Sequence, residues 1–407
     1  MNVLFLTLSD FSSLDFVGIY PDLLNEFVRL GHNVYVVSPS EKRKKVDTHV
    51  IEYGNTHILK LKIGNITKTN LLQKGISTLT IEDKFKAGIK KYYSDVKFDL
   101  ILYSTPPITL YRAIKYIKKR DSATTYLMLK DIFPQNALDI GMLKTTGIKG
   151  LIYSFFREKE KRLYRLSDYI GCMSPANVKY LLEHNKYIAA NRVGLCPNAL
   201  KSRNPVSDEA GKIQIRKEYG LPGDKLIFVF GGNLGKPQGI DFLIECLNAV
   251  KKREDAFFLI VGSGTEFGKI SEFCSKPDAL NIKLIKELPA DEFDRMLTCC
   301  DVGMLFLDSR FTIPNFPSRI LSYMQARLPI LSVTDKASDI GPITCENGFG
   351  FWCESNDYHN FVCEVDKIIA QRDYLPEMGK LSKSYLEREY NPVKICADIL
   401  DTIKNDR

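Results

Sequence analysis

The sequence has no cysteine before Cys172, a single tryptophan and no apolar run close to the length of a membrane span. About 18 consecutive apolar residues are needed to cross a bilayer, so a transmembrane helix is excluded. The ten cysteines lack the C-x-x-C spacing of zinc sites and disulfide frameworks, and we expect reduced core thiols. The start of the chain lacks a basic segment, so we predict a first β-strand, no signal peptide and a cytosolic protein.

Metal-binding and dinucleotide-binding patterns are also missing. The five histidines do not have the spacing of metal ligands. The first predicted strand is followed by SDFSSLDF instead of a G-x-G-x-x-G turn, although the later segment VGSGTEFG imitates such a turn. We therefore expect neither a metal ion nor a nicotinamide cofactor.

Charge is distributed unevenly along the chain. Residues 1–200 contain 30 lysines and arginines against 18 acidic residues, whereas residues 201–407 contain 27 against 31. The basic half is expected to face an anionic partner, such as a membrane surface or a phosphorylated acceptor, or to carry solvated lysines without a partner. Base-stacking motifs are not interleaved with the basic residues, which disfavours nucleic acid.

Apolar runs and helical patterns alternate along the chain. In the first half, strand-like runs occupy residues 3–8, 33–39, 99–105, 124–131 and 169–175. Helical patterns lie between them, at 20–30, 107–120 and 149–166. A polar stretch at 199–212 predicts a linker between an N-terminal domain (1–198) and a C-terminal domain (213–379), in which the alternation repeats. Both domains are predicted to be α/β, with doubly wound parallel sheets.

The strongest local signal is a glycine-rich turn between a strand and a helix. The predicted strand ends at Phe230, and a helix is predicted to begin near Gly239. Glycines at such a turn allow backbone N–H groups to approach phosphate oxygens, and a lysine adds a mobile positive charge. The candidate ligands are Gly231, Gly232, Asn233, Gly235 and Lys236. A tight turn without a ligand is the alternative.

A second candidate lies at residues 311–331, where Pro317 and Ser318 precede a predicted helix with Arg319 in its first turn. A basic residue there opposes the helix dipole, which an anionic ligand would explain. An exposed arginine is the alternative. A diphosphate held by two helix N-termini, Lys236 and Arg319 would need no metal ion.

The order and spacing of several segments resemble retaining GT-B glycosyltransferases of bacterial surface polysaccharide synthesis, which are similar to glycosyltransferase family 4. In the second half these segments are GGNLGKPQGIDFLIE, VGSGTE, KELPADEFDRML, CDVGMLFL and PSRILSYMQARLPIL. In the first half they are LGHNVYVVSP, TPP, LKDIFPQNALDIGML and CPNAL. The resemblance implies two Rossmann-like lobes with the active site in a cleft between them, and a C-terminal helix at about 380–407 that packs back on the first.

Residue roles follow from the same resemblance. It places Gly231 and Gly232 against the donor diphosphate, which Lys236 and Arg319 would neutralise. The turn Glu287–Leu288–Pro289 would meet the nucleotide base through its backbone. Asp131 would orient a sugar hydroxyl or the acceptor, unless it only caps the end of a strand.

The sequence departs from the family pattern at the donor site. Two family glutamates are matched by Pro314 and Ser322, so a serine hydroxyl replaces the carboxylate that grips the ribose. A family arginine and lysine are matched by Asn233 and Gln238. Lys236 and Arg319 are therefore expected to carry more of the phosphate charge.

The implied activity is transfer of a hexosyl group, with retention and without a metal, from a nucleotide sugar, expected to be UDP-linked. The acceptor would be a glycan or a lipid-diphosphate-linked glycan of a capsule or O-antigen. A sugar-nucleotide epimerase of the same fold would need clustered acid and base residues, of which only Asp131 is apparent. A non-catalytic nucleotide-sugar-binding module is the third possibility.

Residues 147–169 combine apolar and aromatic residues with six lysines and arginines. Basic amphipathic helices with aromatic residues lie at membrane interfaces, so this pattern favours peripheral association with the cytoplasmic membrane. A helix that packs on the core and exposes a basic face is the alternative.

Overall fold

The computed structural model describes residues 1–65, 71–204 and 208–404, without the side chains of residues 71–79. The chain divides into two compact units. Unit 1 comprises Met1–Lys201 and Tyr390–Arg407, and unit 2 comprises Ser202–Glu389. Part of the predicted linker, residues 205–207, lies outside the described residues, and a helix already begins at Glu209.

Unit 1 is built on an eight-stranded sheet. Its strands are β1 (Asn2–Leu6), β2 (Asn33–Glu41), β3 (His49–Tyr53), β4 (Thr56–Ile63), β5 (Leu100–Thr105), β6 (Thr124–Leu129), β7 (Tyr169–Cys172) and β8 (Val193–Leu195). The first helices of the unit are α1 (Ile19–Arg29), α2 (Leu71–Tyr92), α3 (Tyr111–Asp121), α4 (Gln135–Asp139), α5 (Gly147–Leu166) and α6 (Pro175–His184).

The strand order of unit 1 is β3-β4-β2-β1-β5-β6-β7-β8. Only the pair of β3 and β4 is antiparallel among the described strands. The central strand β1 is apolar on both faces, and its residues Val3–Leu6 are fully buried. Such a continuous apolar strand is expected where helices cover both faces of a parallel sheet.

Unit 2 is built on a six-stranded parallel sheet. Its strands are β9 (Leu226–Asn233), β10 (Ala256–Ser263), β11 (Ile282–Lys286), β12 (Val302–Phe306), β13 (Ile330–Thr334) and β14 (Gly350–Glu354). Its helices are α7 (Glu209–Glu218), α8 (Ile240–Val250), α9 (Phe267–Cys274), α10 (Ala290–Leu297), α11 (Arg319–Gln325), α12 (Ile340–Glu346), α13 (Tyr358–Ala370) and α14 (Leu375–Glu389). The two parallel-sheet units confirm the predicted α/β class.

The sheet of unit 2 has the order β11-β10-β9-β12-β13-β14. The chain first builds outward from β9 on one side and then continues from β12 on the other. The connection that follows β9 runs toward β10, whereas the connection that follows β12 runs toward β13. Because these two connections lead in opposite directions, a crevice is expected at the carboxyl ends of β9 and β12. The topology therefore directs attention to the residues that end β9, Gly231–Asn233.

The chain returns to unit 1 with α15 (Pro392–Lys404), which packs against α1. Ile395, Cys396 and Ile399 share one hydrophobic cluster with residues of α1 such as Phe27. Residues 380–389 remain in unit 2, where α14 packs against α11, so the returning segment is shorter than the expected 380–407.

The ten cysteines are unpaired, and seven of them are buried. Within residues 1–65, 71–204 and 208–404, none of the helices is both long enough and apolar enough to cross a bilayer.

Candidate functional site

A pocket of about 560 Å³ lies in unit 2 at the carboxyl ends of β9 and β10. Its volume is within the range of small-molecule sites in proteins. Six of the predicted site residues line it: Gly231, Gly232, Asn233, Glu287, Leu288 and Arg319. The residues of β12 do not line this pocket, which lies at the end of β9 on the side of β10 and is lined by residues that the sequence singled out.

Arg319 is the main charged feature of this pocket. It begins α11, and burial lowers the pKa of its guanidinium. Nη1 is buried without a hydrogen-bond partner, and Arg319 forms no ion pair among the described residues. Its guanidinium carbon lies 4.8 Å from the centre of the Phe230 ring, a cation–π contact that offsets only part of the cost of removing the charge from water. The arrangement leaves a desolvated cation available to an anion.

Gly232 provides the open space in front of this cation. Its φ angle is 110°, which favours glycine. A β-carbon built at Gly232 would lie 3.4 Å from Cζ and 3.5 Å from Nη2 of Arg319. A side chain at this position would therefore crowd the guanidinium and occupy the space in which an anion could meet it.

The backbone N–H of Gly231 is hydrogen-bonded within unit 2. Its N–H donates to the Tyr323 hydroxyl at 2.9 Å, and that hydroxyl donates to the Met304 carbonyl at 3.0 Å. A β-carbon at Gly231 would come within 2.2 Å of Cζ of Phe293. The N–H is already used inside the protein, so Gly231 shapes the pocket by admitting the Phe293 ring.

Buried Gln238 organises the turn after β9. Its Oε1 accepts hydrogen bonds from Nδ2 of Asn233 at 3.1 Å and from the N–H of Gly235 at 3.3 Å. Lys236 begins the short helical turn Lys236–Gln238, and its exposed side chain makes no hydrogen bond or ion pair to the described residues. Lys236 and Gly235 do not line the pocket, in contrast to Arg319.

The opposite rim of the pocket is formed by the turn after β11. Glu287 is exposed, and its Oε2 accepts a hydrogen bond of 2.6 Å from Oγ of Ser263, the last residue of β10. Leu288 and Pro289 continue the rim. This hydrogen bond holds the Glu287 carboxylate beside the carboxyl end of β10.

Three predicted residues around α11 lie outside the pocket lining. Pro317 and Ser318 precede the helix, and the Ser318 side chain does not cap it. Ser322 is half-buried one turn after Arg319. Since α11 has only seven residues, the side chain of Arg319 is a stronger feature of this segment than the helix terminus.

Asp131 belongs to unit 1 and follows the carboxyl end of β6. Both carboxylate oxygens accept hydrogen bonds from Nδ2 of Asn136 in α4, at 2.8 and 2.9 Å. Burial raises the pKa of Asp131 to about 6, although the hydrogen bonds from Ile132 and Asn136 oppose this shift. The negative charge of Glu160 raises the pKa further. A carboxyl group with this pKa can exchange a proton near neutral pH.

This pKa predicts a pH-dependent loss of stability. Because the folded protein holds the Asp131 proton to higher pH than the unfolded chain does, ionisation between about pH 4 and pH 6 destabilises the fold. Relative to Asp131→Asn, the wild-type protein should lose about 2 kcal/mol across this window. Thermal unfolding of both proteins from pH 4.5 to 7.5 measures the difference.

Asp83→Asn is the matched control, because Asp83 is an exposed carboxylate of α2 in the same unit. Only the change with pH in the difference in unfolding free energy between Asp131→Asn and the wild type is informative. The pH-independent part of that difference also contains the cost of placing the new amide against the Asn136 amide. A difference that stays constant with pH would refute the raised pKa of Asp131.

Several residues of the pocket were not predicted as ligands. Phe293 closes one side, and Gly262 and Ser263 end β10. Behind the lining, the buried Tyr323 hydroxyl accepts the hydrogen bond from the Gly231 N–H. The segment VGSGTE contains Gly262 and Ser263 and follows an apolar strand, which is a usable sequence signal. Phe293 and Tyr323 have ordinary helical spacing, and only tertiary contact reveals their roles.

The described residues bring together no group of three or more histidine, cysteine, aspartate or glutamate side chains able to hold a metal ion. The absence of a metal requirement nevertheless stays a prediction, since a substrate phosphate can itself supply ligands.

Comparisons with known proteins show what unit 2 and the whole chain resemble. Residues 211–385 match the family model described as Glycosyl transferases group 1. The probable glycosyltransferase WbjE of Pseudomonas aeruginosa is 26% identical over 334 residues, which cover 81% of this chain and 80% of that protein. The putative colanic acid biosynthesis glycosyl transferase WcaI of Escherichia coli is 20% identical over 311 residues, covering 76% and 74%.

A solved structure extends the likeness to the whole chain. Anabaena Alr3699/HepE in complex with UDP-glucose has a TM-score of 0.68 at 13% identity and covers 100% of both chains. This likeness concerns the fold, and it confirms the predicted two-lobed α/β architecture of GT-B type.

Proposed function

We propose that this chain, whose residues 211–385 match the group 1 glycosyl transferases, transfers a hexosyl group from a UDP-linked sugar to a growing glycan. The acceptor is a glycan or a lipid-diphosphate-linked glycan used in a surface polysaccharide, such as a capsule or O-antigen. The sequence resemblance and the similarity to WcaI, a putative glycosyl transferase of colanic acid biosynthesis, support this acceptor class.

The observation that carries the proposal is the unpaired guanidinium of Arg319 in the pocket of unit 2. Desolvating a cation without a counter-ion is costly, so such a group indicates a site for an anion that arrives with the substrate. Gly232 leaves room in front of the guanidinium. A diphosphate has the charge to compensate Arg319, and the departing nucleotide develops further negative charge during sugar transfer.

The remainder of the nucleotide sugar is proposed to meet residues in and beside the pocket. The Glu287–Leu288–Pro289 rim is proposed to meet the base through its backbone, and Ser322 to lie toward the ribose. Lys236, which is exposed and unpaired, is proposed to close over the diphosphate from the turn after β9. The UDP-glucose complex of HepE supports a UDP-linked donor for a chain of the same fold.

For the chemical step we propose retention without a covalent sugar–enzyme intermediate. The anomeric carbon–oxygen bond to the diphosphate breaks, the acceptor oxygen bonds to the same carbon, and the leaving phosphate takes the acceptor proton. The residues of the chain contribute by positioning the substrates and by stabilising the diphosphate charge. Asp131, with its pKa near neutrality, is proposed to orient a sugar hydroxyl or the acceptor.

Calorimetric titration with UDP, GDP and their sugar conjugates, with EDTA and separately with Mg²⁺, tests the proposal. We expect micromolar binding of UDP ligands in EDTA. Arg319→Ala and Lys236→Ala should each weaken it by tenfold or more, and Arg319→Ala should have the larger effect because Arg319 lines the pocket.

Lys252→Ala is the matched control, since Lys252 is an exposed lysine beyond the opposite end of α8 from Lys236. Binding that depends on Mg²⁺ would refute the metal-free site, and equal affinities in all four proteins would refute the phosphate assignment. Incubation with donor alone and then with added acceptors distinguishes the alternatives. An epimerase releases an altered sugar from the donor alone, and a binding module leaves the donor unchanged with and without acceptors.

A further inference from the structure

The first half of α5 exposes a continuous stripe of apolar side chains. Ile148 and Leu151 are 79% and 72% exposed, and Ile152 and Phe155 are 41% and 46% exposed. Their spacing of three, four and seven residues from Ile148 places them on one face of the helix. Met142, in the segment before α5, is 55% exposed as well. We call the four helix residues the α5 stripe.

The stripe is held rigidly because the other side of α5 packs on unit 1. Leu163 and Tyr164 are fully buried, and α5 packs against α3. Below the stripe, the Phe156 ring lies 5.2 Å from that of Phe133 and 5.4 Å from that of Phe155. One face of α5 is therefore fixed to unit 1, while the apolar α5 stripe on another face remains exposed to water.

The helix that carries the stripe, its neighbour α3 and the next helix α2 are rich in basic residues. In residues 80–92, 111–121 and 147–166 of α2, α3 and α5, 15 lysines and arginines accompany five carboxylates. Three of these carboxylates, Glu82, Asp121 and Glu160, are buried beside arginines. Lys144 and Lys149 flank the start of α5, are exposed and form no ion pair with the described residues.

We infer that the α5 stripe docks unit 1 onto the surface of an anionic lipid bilayer. Apolar side chains on a helix with a basic surround lie in the plane of the headgroups, where the apolar face leaves water and the cations meet lipid phosphates. The same charge disfavours a second copy of the chain as the occupant, because two such surfaces would repel. The inference rests on unit 1 alone and does not depend on the donor site.

Sedimentation of the protein with vesicles tests the inference. We expect binding to vesicles of equimolar phosphatidylglycerol and phosphatidylcholine, and at least tenfold weaker binding to phosphatidylcholine alone. Ile148→Ser/Leu151→Ser/Phe155→Ser should lower binding to the anionic vesicles at least tenfold. Lys144→Glu/Lys149→Glu should weaken it and reduce its dependence on salt, because each cation near the surface contributes to the attraction.

The matched control is Ile213→Ser/Leu280→Ser/Leu381→Ser, which removes three exposed apolar side chains of unit 2 (64%, 84% and 44% exposed). This control should bind vesicles like the wild type, and both triple variants should unfold at the wild-type temperature. Unchanged vesicle binding of the α5 variant would overturn the inference, as would a wild-type dimer that this variant dissociates. UDP binding is measured on the same variants and should match that of the wild type. Loss of vesicle binding with unchanged UDP binding then tests the α5 stripe independently of the donor-site proposal.

Discussion

Replacement of Arg319 by methionine should make the protein more stable and abolish donor binding. The substitution removes a half-buried cation, whose buried Nη1 has no partner among the described residues, and replaces it with an apolar chain of similar length. Removing an unsatisfied buried group gains about 1–3 kcal/mol, from which the lost contact with Phe230 subtracts about 1. We expect a net gain of about 1 kcal/mol without ligand, and donor affinity at least 100-fold lower.

Thermal unfolding with and without UDP measures both effects. Since a ligand that binds only the folded state raises the unfolding temperature, UDP should stabilise the wild type and leave Arg319→Met unchanged. Arg253→Met is the contrasting control, because Arg253 is paired with Asp255 and Asp366. Its loss should lower stability slightly and leave UDP binding intact. A destabilised Arg319→Met protein would show that the guanidinium serves the fold and not a ligand.

Replacement of Gly262 by alanine should strongly destabilise unit 2 and weaken donor binding. The new β-carbon would lie 1.9 Å from the carbonyl oxygen of Gly232 in the neighbouring strand β9. Gly262 and Gly232 belong to paired strands, so this steric clash can be relieved only if the carboxyl ends of β9 and β10 move apart. We expect a loss of about 3 kcal/mol, which is at the upper end for overpacking in a core.

Gly268→Ala is the matched control, because Gly268 lies in α9 of the same unit and a β-carbon there meets no atom within 4 Å. Alanine is the better helix former, so this variant should gain up to about 1 kcal/mol. Urea unfolding gives both free energies, and titration with UDP gives the affinities. A Gly262→Ala protein with wild-type stability would mean that the ends of β9 and β10 are not held together as described.

Most strands of both sheets could be predicted from the sequence because they are continuous apolar runs between turns. The run from Val3 and the run from Leu226 belong to central strands, where both faces must be apolar. The antiparallel hairpin of β3 and β4 was missed. The half-exposed β3 carries only a weak apolar signal, since its outer edge faces water.

The lining of the candidate donor site was only partly predictable. Glycines after an apolar strand indicate a ligand turn, and the pocket indeed contains Gly231, Gly232 and Arg319. The sequence does not show that the Gly231 N–H is consumed by Tyr323, a residue 92 positions away. Nor does the sequence show that Lys236 lies outside the pocket lining. The direction of its side chain depends on the backbone of the short helical turn Lys236–Gln238, which the residue types alone do not fix.

The sequence by itself determined the α/β class, the two-part organisation and the chemistry available at each turn. These properties follow from local periodicity, residue type and order along the chain. Tertiary structure decided that Arg319 meets no counter-ion within the described parts of the chain, and that burial raises the pKa of Asp131. It also decided that the α5 stripe faces water and not the core. The physical reason is the same in each case: desolvation and pairing depend on which distant residues pack around a group, and local sequence does not specify those neighbours.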